Sequence, residues 1–440
     1  MDEFGSEPKT TMVVNEAIDN ELPAEGNVAD RITKRSSITT VVVSGVALFS
    51  DGYNAQIIGY MNLILAELYP VAFTSVIKTR LSNAYLIGEI FGMLFFGYAI
   101  DRLGRRTGII FATLFLVLGI IIATAAHGTT DLGMLWMMII GRGVSGFGAG
   151  GEYPTCGTGS TEASDETAYG RRRRGMLVAV ATDFAIDFGF VVAGIVALVV
   201  LAAYHQNLGD GVWRVCFGLG FILPVTLVFF RLSRFQSTQY RKHAMKKDIP
   251  YLLVIKRYWK PMLGTSLAWF MYDFVTYPFG IFSSSIVSTL NPNNTITQNI
   301  GFGTVINCFY LPGCLVGGLL MDRIGRKQTM TLGFFLWAIL GFIIGGALGP
   351  IQSVFPLFVV LYGIFNALGE MGPGNSFPDA EKGIQGVFLI GAAFATVGGL
   401  ISWFLIPSMD KELENEDTRF RVYLEQNGFK GSFGDLSTVN

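Results

Sequence analysis

The chain has 440 residues, 51% of them hydrophobic and 15% charged, with a net charge of -1 and a mean hydropathy of +0.48. It is too apolar and too sparsely charged for a soluble domain of this length, and the near-zero charge argues against nucleic acid as a partner. Cys156, Cys216, Cys308 and Cys314 stand singly in or beside apolar stretches without metal-ligand spacing, so they read as small core residues, and neither a metal nor a cofactor is expected.

Taken in chain order, residues 1–36 are polar and mixed in charge, with no cleavable leader, and read as a disordered N-terminus. A membrane helix takes about 20 mostly apolar residues. Such runs fall at roughly 38–66, 81–99, 107–126, 132–153, 175–203 and 212–230, giving a first bundle over 37–232. A polar linker, 233–260, follows. Further runs at 261–289, 299–321, 328–348, 353–373 and 385–407 give a second bundle over 261–407, before an acidic tail, 408–440. The expected fold is an all-α polytopic membrane protein of about eleven spans.

Short cytoplasmic loops carry the basic excess. Arg31, Lys34 and Arg35 precede the first span, Arg171 to Arg174 follow the fourth, and the linker is rich in Lys and Arg. These loops, and the N-terminus with them, are placed in the cytoplasm. The opposite loops are poorer in such residues apart from Lys78 and Arg80, and one carries a glycosylation pattern at Asn293-Asn294-Thr295.

The loop after the second span, Gly97-Tyr-Ala-Ile-Asp101-Arg102-Leu103-Gly104-Arg105-Arg106, recurs after the eighth as Gly318-Leu-Leu-Met-Asp322-Arg323-Ile324-Gly325-Arg326-Lys327. One such loop is an ordinary basic turn. Two, six spans apart, mark a duplicated bundle. Parallel six-helix halves with a site between them at mid-depth are the plan of major facilitator transporters, and the repeated loop resembles that superfamily's signature.

Ionisable residues inside spans are expensive, at about 2.5–3.5 kcal/mol on insertion scales, and face a cavity or a partner. Asp51 interrupts the first span, Glu152 ends the fourth, Asp183 and Asp187 lie in the fifth, Asp273 in the seventh and Glu370 near the end of the tenth. Asp51, Glu152, Asp187 and Asp273 are candidate proton carriers. Trp269, Asp273 and Tyr277 recur at i, i+4, i+8 and share one helix face, with Pro278 loosening the helix just beyond. Arg142, ahead of the glycine-rich Gly143-Val-Ser-Gly146-Phe-Gly148-Ala-Gly150-Gly151, is a buried cation expected to meet an acid, either for coupling or as a structural ion pair.

The stretches Gly150-Gly151-Glu152-Tyr153-Pro154, Thr161-Glu162, Gly264-Thr265-Ser-Leu-Ala-Trp269-Phe-Met-Tyr-Asp273-Phe-Val-Thr-Tyr277, Ser237-Thr238-Gln239-Tyr240-Arg241-Lys242 and Gly372-Pro373-Gly374 resemble the phosphate:proton symporter branch. The chain is more similar still to the fungal glycerophosphodiester permeases. The resemblance implies import of glycerophosphoinositol or glycerophosphocholine with protons across the plasma membrane; a monomer is expected, and no enzyme, since the sequence has no nucleophile–base constellation, metal spacing or phosphate loop. It places the substrate on Tyr153, Asp183, Trp269, Asp273 and Tyr277. It also implies that Gly97, Asp101, Arg102, Gly104 and Arg105, with Gly318, Asp322, Arg323, Gly325 and Arg326, form a conformational motif.

Two departures stand out. Glu152 replaces the Asp of the phosphate carriers, and Asp183 stands near their Gln, which disfavours bare phosphate and fits a larger substrate with hydroxyls or a choline cation. The other readings are a phosphate symporter, a hexose symporter and a non-transporting paralogue or nutrient receptor. The Pro-Glu-Ser-Pro-Arg stretch that hexose carriers share is absent after the sixth span. The family's second half has one more helix than is found here: Gly372-Pro373-Gly374 runs directly into Asn375-Ser-Phe-Pro378, and the last run resembles the family's final helix. Asn375 falls either in the pocket or in an outer loop beyond that gap.

Overall fold

The computed structural model describes residues 28–103, 105–165, 173–233 and 251–372, with short pieces at 396–398, 400–401, 422–424 and 426–427. The first bundle comprises α1 (Val28–Leu68), α2 (Ser75–Leu103), α3 (Arg105–Thr124), α4 (Asp131–Asp165), α5 (Arg174–Ala181), α6 (Asp183–Ala203), α7 (Asp210–Leu219) and α8 (Ile222–Ser233). The second comprises α9 (Tyr251–Ile281), α10 (Ser283–Leu290), α11 (Ile296–Cys308), α12 (Tyr310–Ile324), α13 (Arg326–Gly346), α14 (Leu348–Ser353) and α15 (Phe355–Met371). Ten of the expected spans coincide with these helices or with end-to-end pairs of them. The run 385–407, most of the linker and Asn375 lie outside the described residues.

Six stretches among the described residues are long and apolar enough to cross a bilayer: Thr107–Thr124, Asp131–Tyr153, Gly175–Ala203, Asp210–Phe229, Ile296–Ile324 and Arg326–Gly346. Large apolar side chains such as Leu94, Val199, Phe229 and Ile339 are exposed on the outer surface. A bilayer covers such a surface at no cost; water does not. Inside, Tyr60, Met61 and Trp213 anchor the core of the first bundle, and Tyr272, Trp337, Phe358 and Tyr362 that of the second.

The glycines of α4 set the tightest packing. A Cβ on Gly146 or Gly150 would run into the backbone of Tyr85 or Glu89 on α2, and one on Gly148 into the backbone of Leu116 on α3. Backbones in direct contact pin α2 and α3 against α4, as small residues do in membrane helices. The fourth helix does not stop at Tyr153 as its hydropathy suggested: α4 continues through Pro154 to Asp165.

The second copy of the repeated loop is a one-residue break between helices, with α12 ending at Ile324 before α13 starts at Arg326. In the second copy Gly325 has φ 87°, a conformation that only glycine takes without strain. Asp322 then reaches across to the first bundle, where its carboxylate accepts from the backbone N–H of Gly175 at 2.8 Å and of Met176 at 3.2 Å. Those are two of the unpaired amides that open α5, and a carboxylate there is favoured by the helix dipole. In the first copy Gly104, and the side chains of Asp101, Arg102 and Arg105, lie outside the described residues.

Candidate functional site

A cavity of about 540 Å³ lies between the bundles. The first bundle contributes Asn83 and Glu89 from α2, Tyr153 from α4, Thr182, and Asp183 and Asp187 from α6. The second contributes Trp269, Tyr272, Asp273 and Tyr277 from α9 and Glu370 from α15. Two broken helices build this region. The fifth span is interrupted at Thr182, so that Asp183 opens α6, and the seventh is interrupted at Phe282, four residues after Pro278. A proline removes one backbone donor and crowds the preceding turn, but the helix runs unbroken through that turn and ends only at Ile281.

The spacing of Trp269, Asp273 and Tyr277 sets them on one side of the seventh span. Trp269, Asp273 and Tyr277 all face the cavity, as do Tyr153, Asp183 and Asp187. The structure departs from two other expectations, those for Arg142 and Cys308. Glu152 is fully buried away from the cavity, where its carboxylate accepts from the Thr113 hydroxyl at 2.6 Å in the α3–α4 contact. Arg142 meets no acid among the described residues. Its guanidinium donates to the carbonyls of Leu81 (3.2 Å), Asn54 (3.0 Å) and Ala55 (3.4 Å), between the rings of Tyr85 and Phe217. Five fixed donors let one arginine satisfy carbonyls on two helices, so the buried charge is solvated by backbone dipoles. Cys308 is exposed, whereas the other three cysteines are buried. Asp51 is buried in α1, outside the cavity lining, with its backbone carbonyl 3.5 Å from the Tyr85 hydroxyl.

Sequence reasoning missed Glu89. It is 4% exposed, lines the cavity, and its Oε1 has no hydrogen-bond partner among the described residues. The signal was present, since Glu89 is a lone acid inside an apolar span. Tyr272 was also missed; its hydroxyl donates to Glu370. Glu370 in turn lies near Cys314 on α12, whose thiol is 2.8 Å from Asp187 Oδ2 and 3.9 Å from Glu370 Oε2. Five carboxylates therefore line one cavity, and no Lys, Arg or His is among its described lining residues.

At the end away from the basic loops the bundles touch. Gln56 donates to the Gly280 carbonyl at 3.0 Å, Asn307 donates to the Tyr60 hydroxyl at 3.1 Å, and Thr297 donates to Gln206. Lys78 sits over the Phe282 ring at 5.9 Å. The cavity lies below this closure and continues towards Met93, Met330 and Gly372 near the basic end.

Comparison with known proteins agrees with this architecture. The Sugar (and other) transporter family matches residues 37–240 and 234–409. Glycerophosphoinositol permease 1 of Candida albicans is 35% identical over 90% of this chain and 83% of its own length. Glycerophosphoinositol transporter 1 of Saccharomyces cerevisiae is 34% identical over 94% and 88%. The xylose transporter XylE of E. coli, solved in a partially occluded inward-open conformation, superposes with a TM-score of 0.59 over 90% of this chain and 99% of its own, at 17% identity. The chain is a multi-pass membrane transporter of the Sugar (and other) transporter family, with the major facilitator fold.

Proposed function

We propose that this protein imports glycerophosphodiesters, glycerophosphoinositol first among them, together with protons across the plasma membrane by alternating access. The N-terminus and the basic loops face the cytoplasm. The observation that carries the reading is the cavity, lined from both bundles by Tyr153, Asp183, Trp269, Asp273 and Tyr277. The similarity to fungal permeases named for glycerophosphoinositol supports it.

The cavity's size and chemistry favour the diester over bare phosphate. A volume of about 540 Å³ lies within the range of small-molecule pockets, and phosphate alone would occupy a small part of it. Carboxylates accept hydrogen bonds from inositol hydroxyls, and the tyrosine and tryptophan donors serve the phosphodiester oxygens. Glycerophosphocholine is the second reading. The Trp269 and Tyr272 rings, 6.1 Å apart beside acids, suit a quaternary ammonium.

Protons have a role in either case. An anion entering a site with five carboxylates is admitted when some of them are neutral, and proton uptake with the substrate supplies that neutrality. The test is uptake of labelled glycerophosphoinositol, glycerophosphocholine and phosphate in cells lacking their own carriers, with and without a proton gradient. Accumulation of phosphate alone refutes the diester reading, and a hexose taken up instead refutes the class of substrate. No uptake by a folded protein at the membrane identifies a non-transporting paralogue.

A further inference from the structure

Asp187 belongs to the first bundle, and Cys314 and Glu370 to the second. One donor atom from each of the three lies within 4.8 Å of the other two. The thiol stands between the acids, at 2.8 Å from Asp187 Oδ2 and 3.9 Å from Glu370 Oε2, while the Tyr272 hydroxyl holds the other oxygen of Glu370. We propose that Cys314 relays a proton between Glu370 and Asp187 across the interface of the two bundles. This rests on the proton-coupled reading above.

The donors present decide how the cluster is protonated. Two carboxylates from opposite bundles face one another. Around them stand the acid Asp183 on α6, the Tyr272 hydroxyl on α9 and the Cys314 thiol on α12, with Tyr310 one turn before that thiol and Glu370 itself on α15. No described cationic side chain lines this cavity. Two ionised carboxylates at this separation repel without a counter-charge, so the arrangement is favourable when the pair holds one proton.

With the proton on Glu370, its O–H donates to Cys314 Sγ while the thiol S–H donates to Asp187. Transfer is then a concerted shift. The Glu370 O–H bond breaks as an S–H bond forms, and the original S–H bond breaks as an O–H bond forms on Asp187. The thiol is regenerated, no electrons change hands, and the negative charge moves from Asp187 to Glu370, where Tyr272 already donates. Because the acids are on different bundles, separating the bundles interrupts the relay and leaves the proton on one side. Cys314 is thus a proton carrier, a role that its position in an apolar run did not suggest.

The experiment uses the full chain, purified and reconstituted with a proton gradient. Cys314→Ala is expected to lose gradient-driven accumulation, and Cys314→Ser, which keeps a hydroxyl able to accept and donate, to retain it. Equal accumulation by wild type and Cys314→Ala overturns the proposal. Infrared spectroscopy of the substrate-free protein gives a second readout that does not depend on which solute is carried. The wild type is expected to show a protonated-carboxyl band that shifts in Cys314→Ala and disappears in the Asp187→Asn, Glu370→Gln double variant. Absence of that band in the wild type overturns the relay whatever the transport result. A band present without glycerophosphodiester transport overturns the substrate reading alone.

Discussion

Gly59 on α1 offers a direct test of which surfaces separate during transport. A Cβ added there would sit inside contact distance of the Ile281 carbonyl on α9, with Gln56 Nε2 only 3.3 Å away. Ile281 is backbone at the end of a helix and has little room to yield. Overpacking of this kind costs about 1–3 kcal/mol. The clash is with the opposite bundle, so it vanishes when the bundles part at that end. Gly59→Ala should therefore destabilise the closed conformation and leave the open one untouched. At 1.4 kcal/mol per tenfold, the equilibrium moves towards opening by about 5- to 140-fold. Hydrogen exchange of the peptides around 278–290 and 296–307 reads the shift, with faster exchange expected, and uptake should slow because closure becomes the unfavourable step. Gly146→Ala is the control. Its Cβ strikes the Tyr85 carbonyl within the first bundle, a contact that transport does not break, so it lowers thermal stability without redistributing conformations. If Gly59→Ala behaves like Gly146→Ala, or exchanges at the wild-type rate, the assignment of the moving interface is wrong.

Other substitutions separate structural from functional roles. Asp273→Asn keeps the shape of the ladder and removes its ionisable group, so concentrative uptake should be abolished; unchanged accumulation against a gradient refutes a proton-carrying role. Arg142→Lys replaces a fork that spans three carbonyls with a single ammonium, and the groups left unmatched should cost about 1–3 kcal/mol each. Thermal unfolding should therefore move to lower temperature; a variant of wild-type stability that transports without proton coupling would reverse the structural reading. Asp322→Asn weakens two charge-assisted bonds to the start of α5, each worth about 1.5–3 kcal/mol. Amide exchange at residues 174–181 should accelerate, and no acceleration means that the latch carries little energy.

The bundles were legible in the sequence because length and apolarity are what a bilayer demands, and the repeated Asp-Arg-x-Gly-Arg loop revealed their duplication. The seventh-span ladder was legible for a related reason: on one continuous helix, residues four apart must share a face. The partner expected for Arg142 failed that logic, and the partner of Glu152 was not foreseen. A charge inside a span signals that something compensates it, but not whether the compensating group is an acid, a carbonyl or a hydroxyl. For Arg142 it is carbonyls on two other helices, and Glu152 accepts from a threonine on a neighbouring one. The meeting of Asp187, Cys314 and Glu370 was out of reach altogether, because it joins positions 127 and 56 residues apart through the packing of three helices.

The polar contacts of the closure are weak, and that suits a carrier; beside them Ile281 and Ile300 pack into the first bundle's core. Three hydrogen bonds between neutral groups cross the end away from the basic loops, each contributing about 0.5–1.5 kcal/mol net. The cation–π contact of Lys78 with Phe282 adds about 0.5–1 kcal/mol at a partly exposed site. Together these amount to roughly 2–5.5 kcal/mol. Reversing a two-state equilibrium from 1:99 to 99:1 takes about 5.5 kcal/mol. Polar contacts of that size can be undone by the differential binding of one solute. A ring of buried ion pairs in the same place would hold too firmly, since breaking even one such pair costs about 3–5 kcal/mol. The carboxylates lie instead in the cavity, away from this closure.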